Sequence, residues 1–245
     1  MPSGKQGKAY SIRTVFLMIL LCAGALFAVS EWVFTVRNVA VEGNRRVPAA
    51  QIAELAGLSG HRSWLFVREE TVRSGVESNR YLVFESMEKV FPNRIVIHVR
   101  ERTPRAWMNA LGRRYAIDEE GVVLDTLAEG ASTDGMLALT GLSVREMGLG
   151  DRLSYVNSSQ MHAYTDLMAE LLVQNAADTF TAMNVADSSN VYLTSASGFE
   201  ISLGKAEDFR AKLLSVRGVL EYAEQFALKS GMLDASVPGY VTYSP

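Results

Sequence analysis

Residues 14–30 (TVFLMILLCAGALFAVS) carry no charged side chain, and this run limits where the rest of the chain can fold. Its length is at the short end of the ~17–25 apolar residues that a helix needs to cross a bilayer. Trp32 and Phe34 follow at once and extend it with interfacial aromatics. Lys5, Lys8 and Arg13 precede it with no acidic residue, so the excess of positive charge puts the N-terminus in the cytoplasm. Everything after Glu31 is then outside. A cleaved signal peptide shares the basic start and apolar middle, with Ala28-Val29-Ser30 as small residues at the cut. The apolar run exceeds the usual ~7–15 residues of such a peptide, which favours a retained anchor. The expectation is a cytoplasmic tail over 1–13, a transmembrane anchor over 14–34, and a single-pass protein of the cell membrane with its C-terminal domains outside the cytoplasm.

Charge and cysteine content narrow what the exterior part can be. After position 13 the net charge is −6, which leaves no electrostatic footprint for nucleic acid. The single cysteine, Cys22, lies inside the apolar run, so the exterior part contains no disulfide. It must be stabilised by packing, and its roughly 210 residues suffice for two modest cores.

Two segments bracket the first of these. VRNVAVEGNRRV (Val36–Val47) and VFPNRIVIHVRERTPRAW (Val90–Trp107) both read as strands bounded by turn residues. A strand over Phe34–Glu42 ends at Gly43-Asn44. Pro48 opens a helix with Ile52, Leu55 and Ala56 on one face, and Gly57 suits its end. Trp64, Leu65 and Phe66 form a connector that plugs the core. Val72 and Val76 suggest a second helix, weakened by Gly75. Strands Leu82–Val90 and Arg94–Arg102 join at Phe91-Pro92-Asn93. The result is a β-α-α-β-β unit over 35–102.

The second unit covers 103–245. Arg105–Leu111, Arg114–Ile117 and Val122–Leu124 read as strands, followed by an irregular Gly-rich stretch over 130–152. A helix over Ser158–Asn175, capped by Ser158 or Ser159, carries Met161, Tyr164, Leu167, Met168 and Leu171 on one stripe. Thr181–Val185, Asn190–Ser195 and Phe199–Leu203 are strands. A helix over Ala206–Lys229 turns Phe209, Leu213, Val216, Leu220 and Ala223 inward and stops at Gly231. The chain closes with MLDASVPGYVTYSP, where Tyr240, Thr242 and Tyr243 favour an extended strand. The fold class is α+β: a membrane helix, the β-α-α-β-β unit, then a mixed domain with a curved sheet and two helices.

No catalytic constellation stands out. His61, His98 and His162 have no metal-ligand spacing, and His98 alternates with Ile97 and Val99 as a polar-face residue would. Asp118-Glu119-Glu120-Gly121 falls where a turn must lie, so it reads as a solvated hairpin tip rather than an acid–base pair. Gly148-Leu149-Gly150 lacks the spacing of a phosphate loop, and no serine sits in an elbow motif. The cluster Arg94, Arg100, Arg102, Arg105 reads as a solvated strand face interleaved with Glu101, or as a contact for anionic lipid. The expectation is a non-enzymatic protein with neither cofactor nor metal. The terminal strand has two readings: a plain closing strand whose tyrosines pack on the helices, or an open sheet edge that accepts an extended segment of a partner.

Several motifs together resemble one family. The anchor, VEGNRRV, FPNRIVIHVRER, YAIDEEGVVL, LALTGL and the terminal LDASVPGYVTYSP are similar to the bacterial cell-division family FtsQ/DivIB, over about residues 10 to 245. The resemblance implies a POTRA (polypeptide-transport-associated) domain beside the membrane, a β domain beyond it, and a scaffold without enzymatic activity. It further implies FtsB/DivIC-like and FtsL-like partners at the division septum, and through them an influence on the septal peptidoglycan synthase. By the same resemblance a partner adds a strand to the last strand of the β domain, which carries over to Ser236, Val237, Gly239, Tyr240, Val241, Thr242 and Tyr243. The alternative is a POTRA-bearing envelope protein of polypeptide transport or outer-membrane assembly.

Overall fold

The two halves of the bracket lie side by side. In the computed structural model, which describes residues 12–226 and 230–245, the chain divides between Glu101 and Arg102 into two units. The first contains α1 (Ile12–Phe34), β1 (Asn38–Glu42), α2 (Ala49–Leu55), α3 (Glu69–Glu77), β2 (Leu82–Val90) and β3 (Arg94–Glu101). The tail with Lys5 and Lys8 lies outside the described residues.

At 23 residues α1 is longer than the uncharged run, because Ile12-Arg13 and Glu31–Phe34 continue it at its two ends. At 1.5 Å per residue it measures about 35 Å, enough to cross a hydrocarbon layer of ~30 Å. Phe34, read above both as the end of the anchor and as the start of a strand, belongs to this helix. The chain is extended from Thr35, where Val36 and Arg37 donate their N–H groups to the carbonyls of Arg62 and Asn93.

The strand order is β1-β3-β2, with β1 parallel to β3 from Asn38 opposite Arg94 to Glu42 opposite His98. A parallel pair needs a crossover, and α2 and α3 provide it. They bury Ile52, Val72 and Val76 against Leu82, Phe84, Ile95, Ile97 and Val99. His98 faces the other way, between Glu42 and Glu88 at 3.5 and 3.6 Å.

The specific motifs of this unit have packing reasons. Gly43 has φ +92°, and a Cβ there would stand 1.9 Å from the carbonyl oxygen of Val99. Directly after it the backbone folds around a carboxylate: the N–H groups of Arg45, Arg46 and Val47 all donate to Glu101 at 2.7–2.9 Å. The turn in VEGNRRV and the acid in VRER are thus one structural element. Gly75 does not weaken α3 by accident, since a Cβ there would lie 2.1 Å from the carbonyl oxygen of Leu55. The two helices touch backbone to backbone at that point.

The second unit contains β4 (Ala106–Ala110), β5 (Arg113–Ile117), β6 (Val123–Leu127), β7 (Leu137–Thr140), β8 (Val144–Glu146), β9 (Ser154–Tyr155) and α4 (Ser158–Val173). It continues with β10 (Phe180–Asn184), β11 (Val191–Ser195), β12 (Phe199–Gly204), α5 (Phe209–Gln225), β13 (Gly231–Val237) and β14 (Tyr240–Ser244). The end of the second predicted helix, at 227–229, lies outside the described residues. Nine strands form one sheet in the order β14-β13-β12-β11-β10-β7-β4-β5-β6, while β8 and β9 pair separately. β7–β10 and β12–β13 are parallel pairs, bridged by α4 and α5 respectively. The inward stripes of both helices, including Tyr164, Leu167, Leu171, Leu213 and Val216, form one core with Ile117, Leu139, Leu193, Ile201 and Leu233.

Two local expectations need correcting, and a third gains a partner strand. The Gly-rich stretch is not wholly irregular: Leu137–Thr140 is an interior strand of the sheet. α4 is capped by Asn157, whose side chain accepts the Ser159 N–H at 2.9 Å, so neither serine is the cap. The terminal segment holds the expected strand at Tyr240–Ser244 and a second one, Gly231–Val237, before it. Pro238-Gly239 turns the chain, and β14 runs back antiparallel along β13.

Candidate partner-docking edge

Residues with chemical potential elsewhere in the second unit are tied into its scaffold. Asp118 is fully buried rather than solvated. Its carboxylate accepts the N–H of Glu120 at 3.0 Å and of Val122 at 2.7 Å, and an Arg102 Nη1 donates to it as well. Arg102 also reaches Glu120 at 3.0 Å. Burial works against the Arg102 cation, but these two carboxylates more than offset it and hold the guanidinium more firmly protonated than usual. Tyr164 of α4 donates its hydroxyl to the Asp118 carbonyl at 2.6 Å, and burial, reinforced by the nearby Asp118 and Glu119 charges, pushes its pKa well up. The basic cluster is largely spoken for: Arg100 lies 3.8 Å from Glu85, and Arg105 lies 3.9 Å from Glu119. Among the described residues no group of three or more His, Cys, Asp or Glu side chains is arranged to hold a metal ion.

β14 differs from every interior strand. Among the described residues it ends the nine-stranded order and has one neighbour, β13. Met232 faces Ser244, Leu233 faces Tyr243, Asp234 faces Thr242, and Val237 faces Tyr240, with an irregularity between Asp234 and Val237. In an antiparallel edge strand, backbone groups of alternate residues point away from the neighbour and remain available for pairing.

The seven residues singled out above therefore fall into three places. Tyr240, Val241, Thr242 and Tyr243 are on the edge strand itself. Gly239 is in the turn, at φ +82°. Ser236 and Val237 are the last residues of β13, the strand that β14 covers, so their backbone is not on the open edge.

Side chains of β14 divide by alternation. Val241 packs on the core, and Tyr243 leans on Phe199 with ring centroids 6.2 Å apart while its hydroxyl donates to the Ser230 carbonyl at 3.2 Å. Gly231 makes room for that ring, since a Cβ would come 2.4 Å from it. Tyr240 is 65% exposed and Val237 opposite it 59%, which leaves an apolar pair open at the hairpin end among the described residues. Asp234 braces the irregular step by accepting the Ser236 N–H at 2.9 Å. That bond and one from the Ser236 hydroxyl hold its carboxyl below the usual carboxylate range. Asp234 and Phe199 were not among the residues singled out. The D-x-S spacing is the signal for the first; nothing in the sequence marks the second.

Comparison with known proteins agrees with this architecture. Residues 34–102 match the family model described as "POTRA domain, FtsQ-type". The chain is 21% identical over 231 residues to the Cell division protein DivIB of Clostridium tetani, covering 94% of this chain and 84% of that protein. It is 24% identical over 215 residues to the Cell division protein FtsQ of Syntrophotalea carbinolica, covering 86% and 73%. With the Cell division protein FtsQ of Geobacter sp. (strain M21) it is 34% identical over 103 residues, 42% of this chain and 37% of that one. With an apolar helix long enough to span a bilayer, the chain carries an FtsQ-type POTRA domain and is similar over most of its length to the FtsQ/DivIB cell-division proteins.

Proposed function

We propose that this protein is a bitopic scaffold of the division machinery, without catalytic activity of its own. Its N-terminus is cytoplasmic, and its two exterior units stand at the septum. There it holds FtsB/DivIC-like and FtsL-like proteins, and through them it influences the septal peptidoglycan synthase. An extended segment of the DivIC-type partner adds to β14 as a tenth strand. Backbone hydrogen bonds along the edge supply affinity, and the exposed Tyr240–Val237 pair supplies an anchor for a side chain of the partner.

The observation that carries this reading is the position of β14, last in the sheet and paired on one side only. The transport alternative has less support. The nine-stranded sheet is open, with β6 and β14 at its two ends, and the relatives named above are cell-division proteins.

The experiment is a binding titration of the full-length protein in nanodiscs against the exterior part of a DivIC-type partner. Tyr240→Ala changes a mostly exposed side chain, so it leaves the hairpin folded. It is expected to weaken binding about 5- to 30-fold, or about 1–2 kcal/mol. Unchanged affinity would remove Tyr240 as the anchor. Removing residues 239–245 is less clean, because it uncovers the edge of β13 as a substitute.

A further inference from the structure

The end of the first unit nearest α1 is unlike its other end. The 3-10 turn Trp64–Phe66 and the tip of the β2–β3 hairpin meet there. Phe34, the last residue of α1, stands 6.3 Å from the ring of Trp64 and 5.9 Å from that of Phe91, which are themselves 6.3 Å apart. Beyond this aromatic triple the surface is apolar and open, and of the three residues expected to plug the core only Trp64 packs against it: Leu65 is 49% exposed, Phe66 80%, Val90 41% and Phe91 72%. Cations stand at its border. Lys89 lies 5.4 Å over the Trp64 ring with its ammonium 3.5 Å from the Leu65 carbonyl, and the exposed Arg94 accepts the Trp64 indole N–H on its carbonyl. Arg37 stacks 5.0 Å over Trp32 and donates to its carbonyl at the end of α1.

Monomers do not leave such aromatic clusters open without a reason. The ring contacts with Phe34 supply one, because they fix the patch at the point where α1 leaves the hydrocarbon layer. Aromatic side chains and cations are what the headgroup interface at that point accepts. We infer that this domain is seated on the membrane: Leu65, Phe66, Val90 and Phe91 dip into the headgroup region of the exterior leaflet around α1, and Lys89 and Arg94 meet anionic headgroups. The occupant of the patch is lipid. The consequence is that the domain is held at a fixed orientation to the bilayer rather than swinging on its tether. This rests on α1 being the membrane anchor and is independent of what β14 binds.

Spin-label accessibility in the full-length protein tests it. The protein is reconstituted in vesicles of phosphatidylethanolamine and phosphatidylglycerol, with Cys22→Ser as background and labels at Phe66→Cys, Phe91→Cys and Arg45→Cys. Arg45 binds Glu101 through its backbone N–H, at the far end of β3 and about 23 Å along that strand from Arg94. Native Cys22, labelled in the otherwise unaltered chain, serves as the control for the anchor. Phe66 and Phe91 are already mostly exposed, so their replacement leaves the core intact. Labels at 66 and 91 should be relaxed more by oxygen than by a water-soluble nickel chelate, with the reverse at 45. Preference for the chelate at 66 and 91 would overturn the inference. So would poor access by both reagents, which would mean that a second copy or another protein covers the patch. If Cys22 shows oxygen preference while 66 and 91 do not, the anchor stands and the seated domain falls.

Discussion

Asp118→Ala removes a carboxylate that three donors share, and its cost can be built from the geometry. The Val122 N–H, 2.7 Å from that carboxylate, belongs to a buried residue and is left without this partner, at about 1–3 kcal/mol. Arg102 keeps Glu120 at 3.0 Å, so its loss is smaller than the ~3–5 kcal/mol for stranding a buried charge; about 2 kcal/mol is a fair share. The Glu120 N–H can turn to water and adds little. The total, about 3–5 kcal/mol, is a large part of the ~5–15 kcal/mol that holds a typical domain. Amide hydrogen exchange on the full-length protein reads the two units separately. The slowest amides of β4, β5 and β6 should exchange about 10²–10⁴-fold faster, with those of β3 unchanged. A loss below about 1 kcal/mol in β4–β6 would refute the idea that Asp118 is a structural hub. An equal loss in both units would refute its confinement to the second.

Two further predictions concern the first unit. Gly43→Ala sets a Cβ 1.9 Å from the Val99 carbonyl oxygen at φ +92°, and should cost at least about 2 kcal/mol in the exchange of β1 and β3 amides. Burial alone would raise the Glu101 carboxyl, but the N–H groups of Val47, Arg45 and Arg46 hold it below its ordinary value of 4.5. A depressed carboxyl contributes stability that is present above its unfolded value and is lost as pH falls through the folded one. Thermal unfolding of this unit should therefore be flat at neutral pH and decline below about pH 4.5, and Glu101→Gln should flatten that decline. An unaltered pH profile in the variant would assign the decline to other groups.

Much of the architecture was legible because periodicity reports burial. Ile95, Ile97 and Val99 on one face of β3, and Leu167, Met168 and Leu171 on α4, are core residues as their spacing requires. Legibility failed where a residue type has two physical uses. Asp-Glu-Glu-Gly has turn composition and does form a turn, but composition says nothing of the arginine sixteen residues earlier that pulls Asp118 inside. Gly75 looked like a helix defect because the helix it touches is remote in sequence. The terminal hairpin has its turn signal in Pro238-Gly239, but Tyr240, Thr242 and Tyr243 speak only for an extended strand and not for the neighbour it pairs with. The turn matters for the docking edge, since it puts Ser236 and Val237 on β13 and leaves Tyr240–Tyr243 on the edge strand.

The most direct test of the docking edge is amide exchange along 230–245 in the full-length protein, with and without the exterior part of a DivIC-type partner. Strand addition predicts that alternate amides of Tyr240–Ser244, which face away from β13, slow sharply on binding, while those of β6 at the other end of the sheet do not change. Saturated partner with unchanged exchange along β14 would contradict the account.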